Sequence, residues 1–244
     1  MRFKNLLVSG CSFTQDGIGG CPPTVDSAGG CSFIDTGDGN PAQPRSWAGH
    51  LAKRLNVNSL VNTAASSHGN ILVANSLLDC VNQFLYKPNE TLIVVNLSEP
   101  WRLDLPCSYD HVDCDHVNIP WNQSLIPYSY LGRSKKITVQ LEKNIGFDQI
   151  EYFTSNTVEF LFNFLVNQKI KFYFLTMNDF SQTRLQKVID KFDSCHIRLT
   201  PGKSMIEYCK NTDNCVSADN LHPSIDAHEK IADQVYDYIV SNEI

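Results

Sequence analysis

The chain reads as an α/β protein with a central, mostly parallel sheet and helices on both faces. Three observations predict this. Thr91 to Leu97 (TLIVVNL) is continuously apolar and β-branched, the pattern of a strand buried on both faces. Residues 3–10 and 170–176 (IKFYFLT) make comparable short apolar runs. Between such runs lie longer segments whose apolar residues recur at helical spacing. Strands alternating with helices form parallel sheets covered on both sides.

Taken in order, the first strand is bounded by Gly10. Residues 15–45 hold seven of the 13 glycines and four of the 11 prolines, so a long loop is expected there, not a helix or a central strand. Helical spacing begins after Ser46, an N-cap residue type, with Trp47, Leu51 and Leu55 on one side. A short strand covers 59–62. A helix follows from Ile71 to Leu85, with Ala74, Leu77, Leu78 and Val81 on its apolar side. Residues 98–150 carry four prolines, two tryptophans and three tyrosines but little periodicity. Then come a helix over 151–168, the strand 170–176, a helix over 181–193 and a short last strand, His196 to Leu199. The closing helix spans 224–241, with Ile225, His228, Ile231, Ala232, Val235 and Ile239 expected on its inner face. No repeat and no domain boundary are visible. Residues 1–244 are therefore expected to form a single domain with insertions at 15–45 and 98–150.

The composition, 42% hydrophobic and 19% charged over 244 residues, suits an ordinary globular core. A net charge of −6 with no run of Lys and Arg argues against a nucleic-acid partner. No apolar run approaches the roughly 20 residues of a membrane-spanning helix. Leu6-Leu7-Val8 is too short for a secretory signal. A cytoplasmic location is the expectation, in the host cell if the source is viral. The nine cysteines are odd in number and irregular in spacing, so most read as thiols. Oligomeric state is not legible in any pattern.

The chemistry gathers at strand ends, where open α/β sheets place their sites. Gly10-Cys11-Ser12-Phe13-Thr14 follows the first strand. A Ser there is displayed at the sheet edge, and adjacent backbone N–H groups can stabilise an oxyanion; the plain alternative is a Ser in a turn. Asp219-Asn220-Leu221-His222-Pro223 precedes the last helix. A Ser hydroxyl needs a base, and a base His needs a group that fixes its tautomer. His222 and Asp219 supply both, unless they merely begin a helix. Cys11 should point away from Ser12 by strand alternation and pack as a buried thiol. Gly30-Cys31-Ser32-Phe33 repeats the string of residues 10–13, but no apolar strand precedes it. Cys107, His111, Asp113, Cys114, Asp115 and His116 are metal-ligand types, yet their spacing matches no zinc pattern. A hydrophilic cap loop is the expectation, with no metal and no cofactor.

The two end blocks together resemble those of the SGNH/GDSL hydrolases. Gly10-Cys11-Ser12 stands where that family usually has Gly-Asp-Ser, and Asp219-x-x-His222 matches its last block. The Gly-Cys-Ser-x-Thr opening and the helix at Ser46-Trp47 are similar to a branch found in phage and environmental sequences. The resemblance implies a three-layer, flavodoxin-like fold and hydrolysis of an ester or an O-acylated sugar through an acyl-enzyme. It implies catalytic roles for Ser12, Asp219 and His222.

The family's second block, which offers an oxyanion N–H from a Gly, corresponds to Asn62–Asn70. Ser67 holds the usual Gly position, with Gly69 as the shifted alternative. In the third block, Asn96 and Ser98 hold the positions of the usual Gly and Asn. The oxyanion hole is thus expected from Ser12, Ser67, Asn96 and Ser98. His68, Gly69 and Arg102 are candidate substrate contacts, Arg102 for an anionic group, although a surface ion pair is the simpler reading of Arg102. Trp101, Trp121, Tyr128 and Tyr130 suit a sugar face or the packing of the insertion. The partner is a small-molecule or glycan ester. An acyltransferase with the same triad and a non-catalytic binding or virion protein on the same scaffold are the rival readings. The α/β-hydrolase elbow is set aside because Thr14 replaces its final Gly. A nucleotide-binding protein is set aside because no phosphate-cradling Gly motif follows the first strand.

Overall fold

Five strands form the central sheet of the computed structural model, which describes residues 3–11, 13–14, 33–35, 46–64, 68–83, 87–102, 104–106, 125–127, 146–217 and 220–243. They are β1 (Asn5–Ser9), β2 (Phe33–Asp35), β3 (Ser59–Asn62), β4 (Thr91–Leu97) and, after two short strands, β7 (Lys171–Thr176), in the order β2-β3-β1-β4-β7. The three pairings among β3, β1, β4 and β7 are parallel, whereas β2 runs antiparallel on the edge beside β3. The helices are α1 (Trp47–Leu55), α2 (Asn70–Gln83), α3 (Phe147–Asn167), α4 (Leu185–Lys191), α5 (Met205–Asn211) and α6 (Ile225–Glu243). Two small antiparallel pairs lie outside the sheet: β5 (Asp104–Pro106) with β6 (Leu125–Pro127), and β8 (Cys215–Ser217) with β9 (Asn220–Pro223).

Strand alternation sorts the apolar residues into two cores. Leu6, Val8, Leu92, Val94, Tyr173 and Leu175 face α1, α5 and α6. Leu7, Ile93, Val95, Phe172 and Phe174 face α2, α3 and α4. Both faces are covered, which is why β4 is buried at every position and why its sequence shows no polar alternation. The result is a three-layer α/β fold, as the strand and helix runs predict. β3 lies on one side of β1 and β4 on the other. This reversal of strand order opens a crevice at the carboxyl ends of β1 and β4.

Four expectations need correction. The 15–45 stretch is not wholly loop: residues 33–35 add a short edge strand, which needs only three residues to pair. His196 to Leu199 is not a strand. It makes a single parallel bridge to Phe174, and Pro201, which lacks an N–H, follows at once. Ile225 is 70% exposed, because it precedes buried Ala227 by two residues, about 200° around the helix. The inner face of α6 is Ala227, His228, Ile231, Ala232, Val235 and Ile239. Helix α5 escaped notice altogether, although Ser204 and Glu207 form a capping box at its start. Ser46 does occupy the N-cap position of α1, but its hydroxyl makes no capping bond. No helix among the described residues is long and apolar enough to cross a membrane.

Candidate active site

The first strand delivers its chain into a tightly built turn. The Thr14 N–H donates to the Cys11 carbonyl at 2.9 Å, closing the turn from residue 11 to residue 14. A Cβ on Gly10 would sit 2.7 Å from Thr14 Oγ1 and 3.0 Å from the Asn96 Cβ, so only glycine fits. Thr14 is fully buried and held from two strands. Asn62 Nδ2 donates to its carbonyl at 3.0 Å, and Asn96 Nδ2 donates to its hydroxyl at 3.0 Å. Ser12 itself lies outside the described residues, but both its neighbours are placed. Cys11 is buried, with its Sγ 3.5 Å from Met177 Sδ, and burial pushes its thiol pKa up. It packs, as alternation predicts, and is a poor thiolate.

His222 arrives from the other end of the chain. It sits on β9, and its ring stacks on Phe13, the residue after Ser12, with centroids 4.5 Å apart and planes 25° from parallel. Its Nδ1 lies 2.6 Å from Asn220 Oδ1, which also accepts the His222 backbone N–H at 3.2 Å. Asn220 N–H in turn donates to Ser217 Oγ across the β8–β9 hairpin at 3.1 Å. Asp219 lies outside the described residues. Partial burial and the nearby Arg102 charge both lower the His222 pKa, which favours the neutral imidazole a base requires.

The other strand ends complete the crevice. Beyond β4, the Ser98 backbone is clasped by Asn70: Ser98 N–H donates to Asn70 Oδ1 at 2.7 Å, and Asn70 Nδ2 donates to the Ser98 carbonyl at 2.8 Å. The Ser98 hydroxyl is buried beside the Cys11 thiol but is not aligned for a hydrogen bond with it. Asn96 is fully buried; its Oδ1 has no hydrogen-bond partner among the described residues. Gly69 N–H and Leu72 N–H each donate to Asp104 at 2.9 Å, so Asp104 caps α2. A Cβ on Gly69 would lie 2.6 Å from both the Arg102 carbonyl and the Asp104 carboxylate. Burial raises Asp104 to a pKa of about 6, against the donated N–H bonds and the Arg102 charge.

His68 is partly buried and its pKa is pushed down to about 4, so it is neutral. Its Nδ1 has no partner among the described residues. Arg102 Nε donates to Glu99 Oε2 at 3.2 Å, and its Nη2 lies 3.8 Å from Met177 Sδ.

The structure therefore brings Gly10, Phe13, Asn96, Ser98, Arg102 and His222 to one edge of the sheet. Ser67, with Ser12 and Asp219, lies outside the described residues. So do residues 107–116, the aromatic residues Trp121, Tyr128 and Tyr130, and Ser32. Trp101 is 42% exposed. Among the described residues no group of His, Cys, Asp and Glu could hold a metal. Sequence reasoning missed the supporting residues Phe13, Asn70, Asp104 and Asn220. Phe13, Asn70 and Asn220 sit inside blocks that the sequence singles out, at positions with no role assigned there; Asp104 carries no motif.

No protein-family model and no curated protein matches the sequence. Solved structures do. LAE5, an alpha/beta hydrolase enzyme from the metagenome of Lake Arreo, Spain, superposes with a TM-score of 0.52 at 12% identity, over 96% of this chain and 94% of that one. A catalytic mutant of Axe2, an acetylxylan esterase from Geobacillus stearothermophilus, gives 0.52 at 12% identity, over 98% and 96%. The fold is thus that of known hydrolases across nearly the whole chain.

Proposed function

We propose that the protein is a serine esterase of the SGNH/GDSL type, acting on a small-molecule or glycan ester. The observation that carries this is the stacking of His222 on Phe13, the chain neighbour of Ser12, across more than 200 residues of sequence. The fold's likeness to hydrolases supports it. Ser12 attacks the ester carbonyl while His222 Nε2 takes its proton. Asp219 stabilises the imidazolium, and water then releases the acyl group. The oxyanion is met by the backbone N–H groups of Ser12 and Ser67, with the Ser98 hydroxyl as the side-chain donor. Asn96 acts through Thr14, to which its Nδ2 is already bonded. Gly69 gives its N–H to Asp104, so it shapes the crevice and leaves the oxyanion role to Ser67.

The test is labelling with a fluorophosphonate probe. Wild type should label; Ser12→Ala should abolish labelling, and His222→Ala should slow it by at least ~100-fold. Well-folded wild type that does not label would sink the proposal.

A further inference from the structure

We infer that the substrate carries an oxyanion, a carboxylate or phosphate-type group near the scissile ester, and that the outer edge of Arg102 receives it. This rests on the esterase reading above and narrows it.

The first argument is position. Arg102 follows the carboxyl end of β4, and its Nη2 touches Met177 Sδ, just past the end of β7. Met177 Sδ in turn touches Cys11 Sγ, and Cys11 is the chain neighbour of Ser12. Two sulfur contacts thus run from the guanidinium to the buried Cys11 side chain, and its charge acts on His222. The backbone is pinned as well. The Arg102 N–H donates to the Glu99 carbonyl at 3.1 Å, and its own carbonyl packs against Gly69.

The second argument is bonding. A guanidinium has five N–H donors in a planar fork. One, on Nε, is spent on Glu99. Nη2 meets only a thioether, a weak acceptor, and among the described residues no oxygen contacts Nη1 or Nη2. The side chain is only 26% exposed. A half-buried Arg held by one single bond, with its bidentate edge open, is built for a carboxylate or phosphate. An i,i+3 ion pair alone contributes too little to explain the placement.

The third argument is electrostatic. The Arg102 charge disfavours protonation of His222, yet His222 must become an imidazolium as Ser12 attacks. An anion on Arg102 removes that opposition, so a substrate bearing one makes its own base stronger. A neutral ester leaves that opposition in place and should react more slowly.

The experiment compares kcat/KM for three esters. p-Nitrophenyl acetate is neutral, mono-p-nitrophenyl succinate is anionic on the acyl side, and 4-acetoxy-3-nitrobenzoate is anionic on the alcohol side. Wild type should prefer one anionic ester to the neutral one by at least ~10-fold, and the preferred one identifies the side that carries the charge. Arg102→Gln should cut that ratio at least ~5-fold, chiefly through KM, with Arg102→Lys keeping part of it. Equal kcat/KM for all three esters in wild type overturns the proposal. So does an equal loss on all three in Arg102→Gln, which would make Arg102 structural.

If wild type turns over none of them, the esterase reading fails separately. The anion site is then read from the His222 imidazole resonances during titration with succinate and with inorganic phosphate. A rise in His222 pKa in wild type, absent in Arg102→Gln, upholds the site. No shift in wild type overturns it.

Discussion

Asn220 and His222 alternate on one face of β9, and that spacing places an amide oxygen on the imidazole. A carbonyl oxygen only accepts, so Nδ1 carries the proton and Nε2 keeps its lone pair for the serine. Asn220→Ala should therefore slow fluorophosphonate labelling by ~10-fold at neutral pH. Asn220→Asp should keep the tautomer and raise the pH at which labelling reaches half its maximum, since a carboxylate favours the imidazolium. Unaltered labelling in Asn220→Ala would show that Asp219 orients the ring alone. A second residue-scale expectation concerns Gly10. A methyl 2.7 Å from Thr14 Oγ1 forces the turn to shift, so Gly10→Ala should cost about 1–3 kcal/mol in a urea titration and slow labelling as well. Ser12 and His222 were legible as candidates because Gly-x-Ser after a strand and Asp-x-x-His before a helix are local patterns. Asn220 was not, because the group that faces a ring nitrogen depends on a hairpin the sequence does not announce.

Helices α1 and α2 both begin near the site, and both are capped by distant residues. The Trp47 N–H at the start of α1 donates to His228 Nδ1 at 3.2 Å, while Ser46, the local candidate, makes no capping bond. The start of α2 is capped by Asp104, more than 20 residues beyond that helix's end. Asp104→Ala leaves two buried N–H groups without their acceptor and should lower stability by about 2 kcal/mol, read as a fall in the urea midpoint at constant m. It should also loosen the Ser67–Asn70 segment and reduce labelling more than the stability loss alone explains. Local capping rules find caps supplied from within the same turn. They found Ser46 in position but not in role, and they could not find Asp104. The four parallel strands β1, β3, β4 and β7, by contrast, are legible almost to the residue, because burial on both faces leaves a continuous apolar run; the short strands outside that core are not.

At the scale of the molecule, burial pushes three histidines among the described residues far enough down to keep them neutral. His68, His196 and His228 are all pushed from 6.5 to about 4. Their folded pKa values lie below the unfolded value, so the unfolded chain takes up protons first as pH falls. The stability they support is complete above pH 6.5 and is lost between 6.5 and about 4. At pH 5 the loss is on the order of 2 kcal/mol per histidine. Asp104 acts in the opposite sense. Its folded pKa of about 6 lies above the unfolded 3.8, so its contribution grows as pH falls through that window and offsets part of the loss. The urea midpoint should therefore fall from pH 7 to pH 5. His196 has no hydrogen-bond partner on either ring nitrogen among the described residues and lies flat on Phe174, with ring centroids 4.8 Å apart. His196→Phe should raise the midpoint, more at pH 5 than at pH 7.

The placement of His222 against Phe13 also has a consequence for synthesis on the ribosome. The segment carrying Ser12 emerges more than 200 residues ahead of the hairpin carrying the imidazole and the helix that packs on α1. A nascent chain can build most of its sheet while remaining chemically silent. Under the proposed mechanism, reactivity would switch on only when the β8–β9 hairpin and α6 dock, so a serine-directed probe would report that docking rather than partial collapse.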